Sequence, residues 1–560
     1  MTKSYVMIYE GTELELENSL KKNNIDTYVI LNNQLATIYV PIDFDEIKLN
    51  EIPVISAWEP SSPISSLIEI TNNLREGETV TTAAGTNYIY KNPYILSSGK
   101  DMMIAIIDSG IDYLHPDFIN KDGTTKIISI WDQNGEKSKE QNYPFGRDIT
   151  REEINKAIKE NDPSLTRDNI GTGTIAAGIC CGRGNLNSSY KGVAIDSELI
   201  VVKLKEYKDI YMKDKINYQA ADFLAAIKYV IDISKKEEKF LIINLTIGNE
   251  STATTDLTVV DSFDYLDFPG VIIVSGAGNE GNTDIHYEGK IRNKSSAEDV
   301  LIQVGQQLDL TIALSVNGMD KIGVQLISPA GELSDKVNYT PEYYPYEGKF
   351  NIENALYKIV YSYPWLQSGN EQTYIYIKDI KPGIWTLRLL PEFIIGGEYD
   401  IYLPNKNLIS EDTRFVNPNS FSTITLYATT ENMITVGAYN DKVNSIWVGS
   451  SKGPVKRKRI KPDIVAPGVD IIGPSNNKSY NTATGTGVSS SITCGVLAIM
   501  MDYISEQKKG SKNLLFTRVL KTYLMLGATK KDIYMYPNAS QGYGILNLKE
   551  TIRQIANFIE

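Results

Sequence analysis

The pattern of apolar and polar positions changes character three times along the chain. Near the amino end, YVMIYE (5–10), DTYVIL (26–31), LATIYV (35–40) and VISAW (54–58) alternate like half-buried strands. ELENSLKKN (15–23) has helical spacing and DFDEIKL (43–49) reads as a short helix. The resulting β-α-β-β-α-β order predicts a ferredoxin-like α+β unit over residues 1–80, with residues 81–100 as a linker.

From residue 100 the strands become continuous apolar runs: MMIAIID (102–108), LIVVKL (199–204), FLIINL (240–245) and VIIVSG (271–276), with the helical ADFLAAIKYVIDI (221–233) among them. Strands of this kind separated by helices predict a parallel α/β sheet covered by helices on both faces. Between residues 284 and 425 the helical signal disappears. LDLTIAL (308–314), KIGVQLIS (321–328), TYIYIKDI (373–380), GIWTLRLL (383–390) and EYDIYL (398–403) predict an inserted all-β sandwich. MITVGAY (433–439) resumes the α/β pattern, which continues to about residue 555 and includes the strongly apolar helix SSSITCGVLAIMMDYI (489–504).

Composition narrows the function classes. The chain has 560 residues, 42% of them hydrophobic and 22% charged, which suits a well-filled globular core. A net charge of −13 argues against nucleic acid or an anionic membrane surface as the main partner. No basic-then-apolar leader is visible at the start and no apolar run is read as a membrane span. Three cysteines, two of them adjacent (Cys180, Cys181, Cys494), imply neither a disulfide framework nor a metal knuckle, and read as core filling. WDQNGE (131–136) lacks a full set of calcium ligands, so no metal or other cofactor is expected.

Three stretches carry candidate chemistry. AIIDSGIDYLHPDF (105–118) ends a buried strand on Asp108, a carboxylate placed to orient a base. GTGTIAAGICCG (171–182) opens a helix with Thr172 at its start, and TATGTGVSSSITCG (482–495) does the same around Gly487, where a helix amino terminus would favour developing negative charge.

In order and flanks these stretches resemble the subtilisin-like serine proteases, whose motifs are D-S/T-G, G-H-G-T-x-x-A-G and G-T-S-M-A-x-P. NLTIG (244–248), SGAGNEG (275–281), SSKGP (450–454) and KPDIVAPG (461–468) extend the resemblance over residues 100–283 and 430–555. It implies a subtilisin-like α/β fold, a prodomain at residues 1–80, Asp108 as the retained triad aspartate and Asn279 as the oxyanion residue. The histidine position is Thr172, the serine position Gly487, and the motif's proline is Ser491. Threonine is no base near neutral pH and glycine has no nucleophile. His115 sits just past Asp108 on the wrong side of the turn and His286 opens the β insert, so neither matches the base position, while Ser489, Ser490 and Ser491 lie two to four residues past the nucleophile position, a shift that on a helix rotates the side chain and moves it several Å.

A β insert at this point resembles the Csp germination subtilases of spore-forming clostridia, which carry a jelly roll there. IISIWDQNG (127–135) and YPFGRDITREEINKAI (143–158) are similar to the same group. In that group an active member cuts the precursor of a cortex-degrading hydrolase, and members with a broken triad regulate that step. The resemblance thus implies a spore protein without protease activity, an uncut prodomain through about residue 95, other Csp proteins and a cortex hydrolase precursor as partners, and a bile acid or amino acid germinant as ligand. An active hydrolase with a non-standard nucleophile, or a folding partner of an active sibling, are the alternatives. KGPVKRKRIKPD (452–463) reads as a solvated basic loop or a dock for an acidic partner. The tyrosine-rich NYTPEYYPYEGKF (338–350) reads as a sandwich cover or a contact surface.

Overall fold

A computed structural model describes residues 2–559 except 138–142, 209, 213–214, 250–267, 293–295, 317, 341–343, 363–370, 456–458 and 508–511. The centres of the basic loop and of the tyrosine-rich loop lie outside the described residues.

The amino-terminal unit has four antiparallel strands: β1 (Thr2–Tyr9), β2 (Thr27–Ile30), β3 (Leu35–Pro41) and β4 (Ile55–Pro60). They lie in the order β2-β3-β1-β4, the split arrangement expected from the pattern. Helix α1 (Glu13–Lys22) starts at a reciprocal cap. Glu15 Oε2 accepts from the Thr12 N–H at 2.8 Å, and Thr12 Oγ1 accepts from the Glu15 N–H at 3.3 Å. The second predicted helix is a single 3-10 segment, Glu46–Glu51. Alternation along β3 assigns its two faces. Ala36, Ile38 and Val40 pack with Leu16 and Leu20 of α1, whereas Leu35 and Tyr39 join a cluster shared with the second, larger domain.

That domain is built on seven parallel strands. In spatial order they are Ile127–Asp132, Glu198–Lys203, Met102–Asp108, Phe240–Leu245, Val271–Gly276, Ile434–Asn440 and Ile464–Pro467. Their side chains are buried on both faces, which explains the unbroken Val/Ile runs.

Residues 81–100 are not a linker. Helices α2 (Val80–Ala83) and α3 (Asn87–Tyr90) bury Val80, Ala84 and Ile89 in the α/β core. The N–H groups of Ser98, Gly99 and Lys100 then converge on Asp502 Oδ2 at 2.8, 2.9 and 3.0 Å. Helices of four residues are too short to show a 3.6 period, so the sequence pattern hid them.

One face carries α4 (Arg151–Glu160), α5 (Thr172–Cys181) and the long α7 (Thr486–Gln507). The other carries α6 (Ala220–Glu237). Thr486–Glu506, which extends the apolar helix read at 489–504, is long and apolar enough to cross a membrane by composition, although the sequence reading expects no apolar run of that length. It is 94% buried against the sheet, α5, and α8 (Thr517–Gly527) with α9 (Leu548–Ile559), so its apolarity is that of a central core helix.

The insert forms two antiparallel sheets, of six and four strands, between His286 and Phe415. They close on a core containing Leu314, Trp385, Leu387 and Ile401.

Candidate active-site cleft

Asp108 ends the third strand of the parallel sheet and is fully buried. Its Oδ1 accepts from the Ser109 N–H at 2.6 Å and the Thr172 hydroxyl at 2.5 Å, and its Oδ2 accepts from the Thr246 hydroxyl. Burial pushes the carboxyl up to about 6, and these donors hold it from rising further. Thr172 is held by its helix start. Gly171 caps α5 with φ +96°, and a Cβ on Gly173 would fall 2.1 Å from the Gly110 carbonyl oxygen, so the approach of α5 to the strand end demands glycine. Thr172 Oγ1 also lies 2.9 Å from Ser109 Oγ. Where a triad needs a ring nitrogen on the aspartate, this site has two threonine hydroxyls.

Gly487 lies in the first turn of α7. Its N–H donates to the Leu67 carbonyl oxygen at 3.0 Å. Asn279 follows the strand Val271–Gly276; its Oδ1 accepts from the Thr486 N–H at 3.0 Å and the Thr486 hydroxyl at 2.9 Å, and its Nδ2 is buried without a hydrogen-bond partner. A Cβ on Gly485 (φ +138°) would fall 2.2 Å from the Leu67 oxygen and 3.0 Å from Asn279 Nδ2, so both groups crowd the same glycine. One backbone N–H bound to the Leu67 carbonyl and one free amide nitrogen beside it are the donor pair that polarises a carbonyl in acyl transfer.

The Leu67 carbonyl belongs to a segment that fills the cleft. Strand β5 (Pro63–Ser66) lies antiparallel between Tyr218–Gln219 and Ile247–Gly248. The Leu67 N–H donates to the Thr246 carbonyl at 2.7 Å. The Leu67 side chain is 2% exposed and packs over Gly248, where an added Cβ would meet its methyl carbons at 3.1 and 3.3 Å. Beyond it, β6 (Glu69–Ile70) pairs with Ala483–Thr484. The segment runs through the cleft as an extended peptide, with the Leu67–Ile68 bond at the two donors. Sequence reading placed the end of the uncut segment near residue 95. The peptide whose carbonyl lies at the two donors is Leu67–Ile68, and no motif marks PISSLIEI (63–70).

The remaining candidates for rescuing chemistry are engaged elsewhere. His115 Nδ1 accepts from the Asp117 N–H at 3.2 Å and its Nε2 lies 3.0 Å from the Ser479 carbonyl; burial lowers its basicity. His286 stacks on Tyr402 on the face of the insert's six-stranded sheet that points away from the sandwich core, its Nδ1 lies 2.7 Å from the Phe421 carbonyl and its Nε2 3.0 Å from Asp400. Ser489 donates to the Ala466 carbonyl, Ser490 to Asn244 Oδ1 and Ser491 to the Gly487 carbonyl, all fully buried. Cys180, Cys181 and Cys494 are buried thiols, and burial pushes Cys181 up to about 11, away from thiolate character. Asn134 of the WDQNGE stretch spends its side chain on the Leu204 carbonyl and the Glu206 N–H. Among the described residues no group of three or more His, Cys, Asp or Glu is arranged to hold a metal. Thr246, Ser109 and Leu67 are the site residues that sequence reasoning missed.

Gly487 is crowded by its occupant. A Cβ there would meet Ile68 Cγ1 at 2.7 Å, the Leu67 oxygen at 3.0 Å and the Leu67 carbonyl carbon at 3.1 Å. Gly487→Ser is therefore expected to leave the chain in one piece by intact mass, because no base among the described residues is placed at the new hydroxyl. It should also lower stability by about 1–3 kcal/mol in thermal unfolding, through overpacking. Fragments ending at Leu67 would reveal a base that the described residues do not contain.

Comparison with known proteins agrees with this geometry. A model of the subtilase family, Peptidase S8, matches residues 99–355 and 405–544. The CspB protease of Clostridium perfringens has a similar structure, with TM-score 0.74 and 25% identity over 86% of this chain and 98% of that one. The C5a peptidase of Streptococcus pyogenes is 21% identical over 81% of this chain, which spans 39% of that larger protein. A subtilisin from a Bacillus species is 26% identical over 38% of this chain and 43% of its own length. A family match across well over half of the chain, on a parallel sheet that brings Asp108, Thr172, Asn279 and Gly487 to one cleft, makes this protein a member of the subtilase family.

Proposed function

We propose that this chain is a subtilase that binds rather than cuts: a regulatory pseudoprotease of spore germination, of the CspC type. The observation that carries the reading is the pairing of Asp108 with the Thr172 and Thr246 hydroxyls while Gly487 occupies the nucleophile position. In subtilisin, loss of the serine or the histidine alone costs about 10⁶ in turnover, and here both positions are changed. The likeness to CspB supports a place in the same machinery. In this reading the protein resides in the bacterial spore, in the cortex or coat region. It gates activation of a cortex hydrolase by an active Csp protease, through contact with that protease or with the hydrolase precursor, and it takes a bile acid or amino acid as its signal. A cavity of about 580 Å³ beside the cleft, lined by Lys215, Lys406 and Arg414 and by Glu69, Asp284 and Asp412, offers both charge signs that an amino acid carries.

The test is chemical. A serine-directed fluorophosphonate probe is expected to leave the purified full chain unlabelled, and its amino-terminal sequence is expected to start ahead of β1 rather than at Ile68. Labelling at one defined residue, or a natural terminus at Ile68, would overturn the reading. Isothermal titration with bile acids and with amino acids then separates direct sensing from relay between proteins.

A further inference from the structure

The first turn of α6 holds a carboxyl group that the fold leaves without a charge partner. Asp222 lies between α6 and the face of the amino-terminal sheet that packs on it. It is fully buried, and neither of its oxygens has a hydrogen-bond partner. The Tyr39 hydroxyl, from β3 on that face, is likewise buried and unpartnered. Two buried polar groups, one from each unit, thus meet in an interface that includes the apolar Val6, Val29, Leu35, Phe223 and Leu224, with the buried Thr37 hydroxyl next to Tyr39.

The other titratable groups facing Asp222 are Tyr207, on the short strand Tyr207–Lys208, and Lys205 just ahead of it. Lys205 Nζ lies over the rings of Phe145 and Tyr207, 6.0 and 5.4 Å from their centres, and does not form an ion pair with Asp222. Gln133 binds the backbone carbonyl of Asp222, not its carboxyl. Burial pushes the carboxyl from 3.8 to about 6, and Tyr207, Lys205 and Tyr39 offset only part of that.

We propose that Asp222 is a pH-sensitive latch for the amino-terminal unit: a neutral carboxyl holds the unit on α6, and ionisation loosens it there while β5 stays in the cleft. The sign follows from linkage. A group whose docked value is raised contributes fully below its ordinary value and is lost as pH rises through the docked value, so docking weakens from about pH 4 upward and is weakest above about pH 6. Between about pH 5 and about pH 8 the docking equilibrium falls roughly tenfold.

Hydrogen exchange of the full chain, corrected for the intrinsic pH dependence of exchange, reads this directly on peptides from β2 and β3. Protection there is expected to drop about tenfold between about pH 5 and about pH 8 in the native protein, and to be level in Asp222→Asn. A level profile in the native protein, or the same drop in Asp222→Asn, overturns the proposal. Should Asp222→Asn fail to fold, Tyr39→Phe provides a second route. Removing the hydroxyl that eases the carboxylate is expected to enlarge the drop, and a drop left unchanged or abolished counts against the latch.

Discussion

Leu67→Asp is expected to empty the cleft. The Leu67 side chain is buried over Gly248, and its removal forfeits about 1.5–3 kcal/mol of apolar burial. Burying a carboxylate in its place adds a desolvation cost of at least the same order. Against this, the segment keeps the Leu67 N–H bond to Thr246, the Gly487 N–H bond to Leu67 and the short pairings of β5 and β6. Each such bond contributes about 1 kcal/mol net, and all of them depend on the strand staying in place. The balance shifts by about 3 kcal/mol or more, enough to raise the open population about 100-fold. Exchange protection of residues 64–70 should fall by that factor, and proteases should then cleave between β4 and α2. Leu67→Met should leave both unchanged. Full protection in Leu67→Asp would mean that the main-chain ribbon alone holds the segment.

The emptied cleft is informative because of how the amino-terminal unit is attached. Leu35 and Tyr39 share one apolar cluster with Phe223 and Leu224 of α6, so this contact is packed like a domain interior. Losing the cleft strand therefore need not release β1–β4, and the two attachments are separable: Leu67→Asp acts on one and the ionisation of Asp222 on the other. For the regulatory role proposed above, these attachments offer two places where a partner's peptide or a change in pH can act.

The sequence made much of this readable, for identifiable reasons. Asp108, Thr172, Asn279 and Gly487 stand inside stretches whose glycines are dictated by backbone geometry, so the flanks mark the positions even where the residue differs from the family's motif. Gly173, pressed against the Gly110 carbonyl, and Gly485, at φ +138°, are such markers. The parallel strands and the antiparallel insert were readable because burial on two faces and burial on one face leave different periods. What escaped reading rests on contacts between distant residues. Thr246 follows a buried strand and nothing local announces that its hydroxyl reaches Asp108, 138 residues earlier. Ser-Ser-Leu-Ile at 65–68 has no periodic signature, because an extended peptide bound between two edges takes its register from the cleft. Helices α2 and α3 are too short to display a period, and α7 read as apolar without revealing that a whole domain surrounds it.

Asp108 is expected to matter to folding, which is the second large effect. Asp108→Ala removes the acceptor of the Ser109 N–H and of the Thr172 and Thr246 hydroxyls, three donors deep in the protein. Leaving them unpaired costs about 1–3 kcal/mol each before relaxation, and a net loss of about 3–5 kcal/mol is expected in chemical denaturation. Asp108→Asn keeps the shape and one acceptor oxygen, so it should fall well short of that loss. It also removes a titration. Burial raises the Asp108 carboxyl from 3.8 to about 6 in the folded chain, so its contribution is present below its ordinary value and is lost as pH rises through about 6. The native protein should therefore lose about 1–2 kcal/mol between about pH 5 and about pH 8 on this account, and Asp108→Asn should not. The deficit of Asp108→Asn relative to the native protein must shrink by that amount as pH rises. Because each comparison is made at one pH, the other buried carboxyls that shift the same way, Asp222, Glu280 and Glu371, cancel from the difference. A deficit that stays constant with pH would show that Asp108 keeps one protonation state throughout. An Asp108→Ala variant as stable as the native chain would show that the aspartate has no structural role.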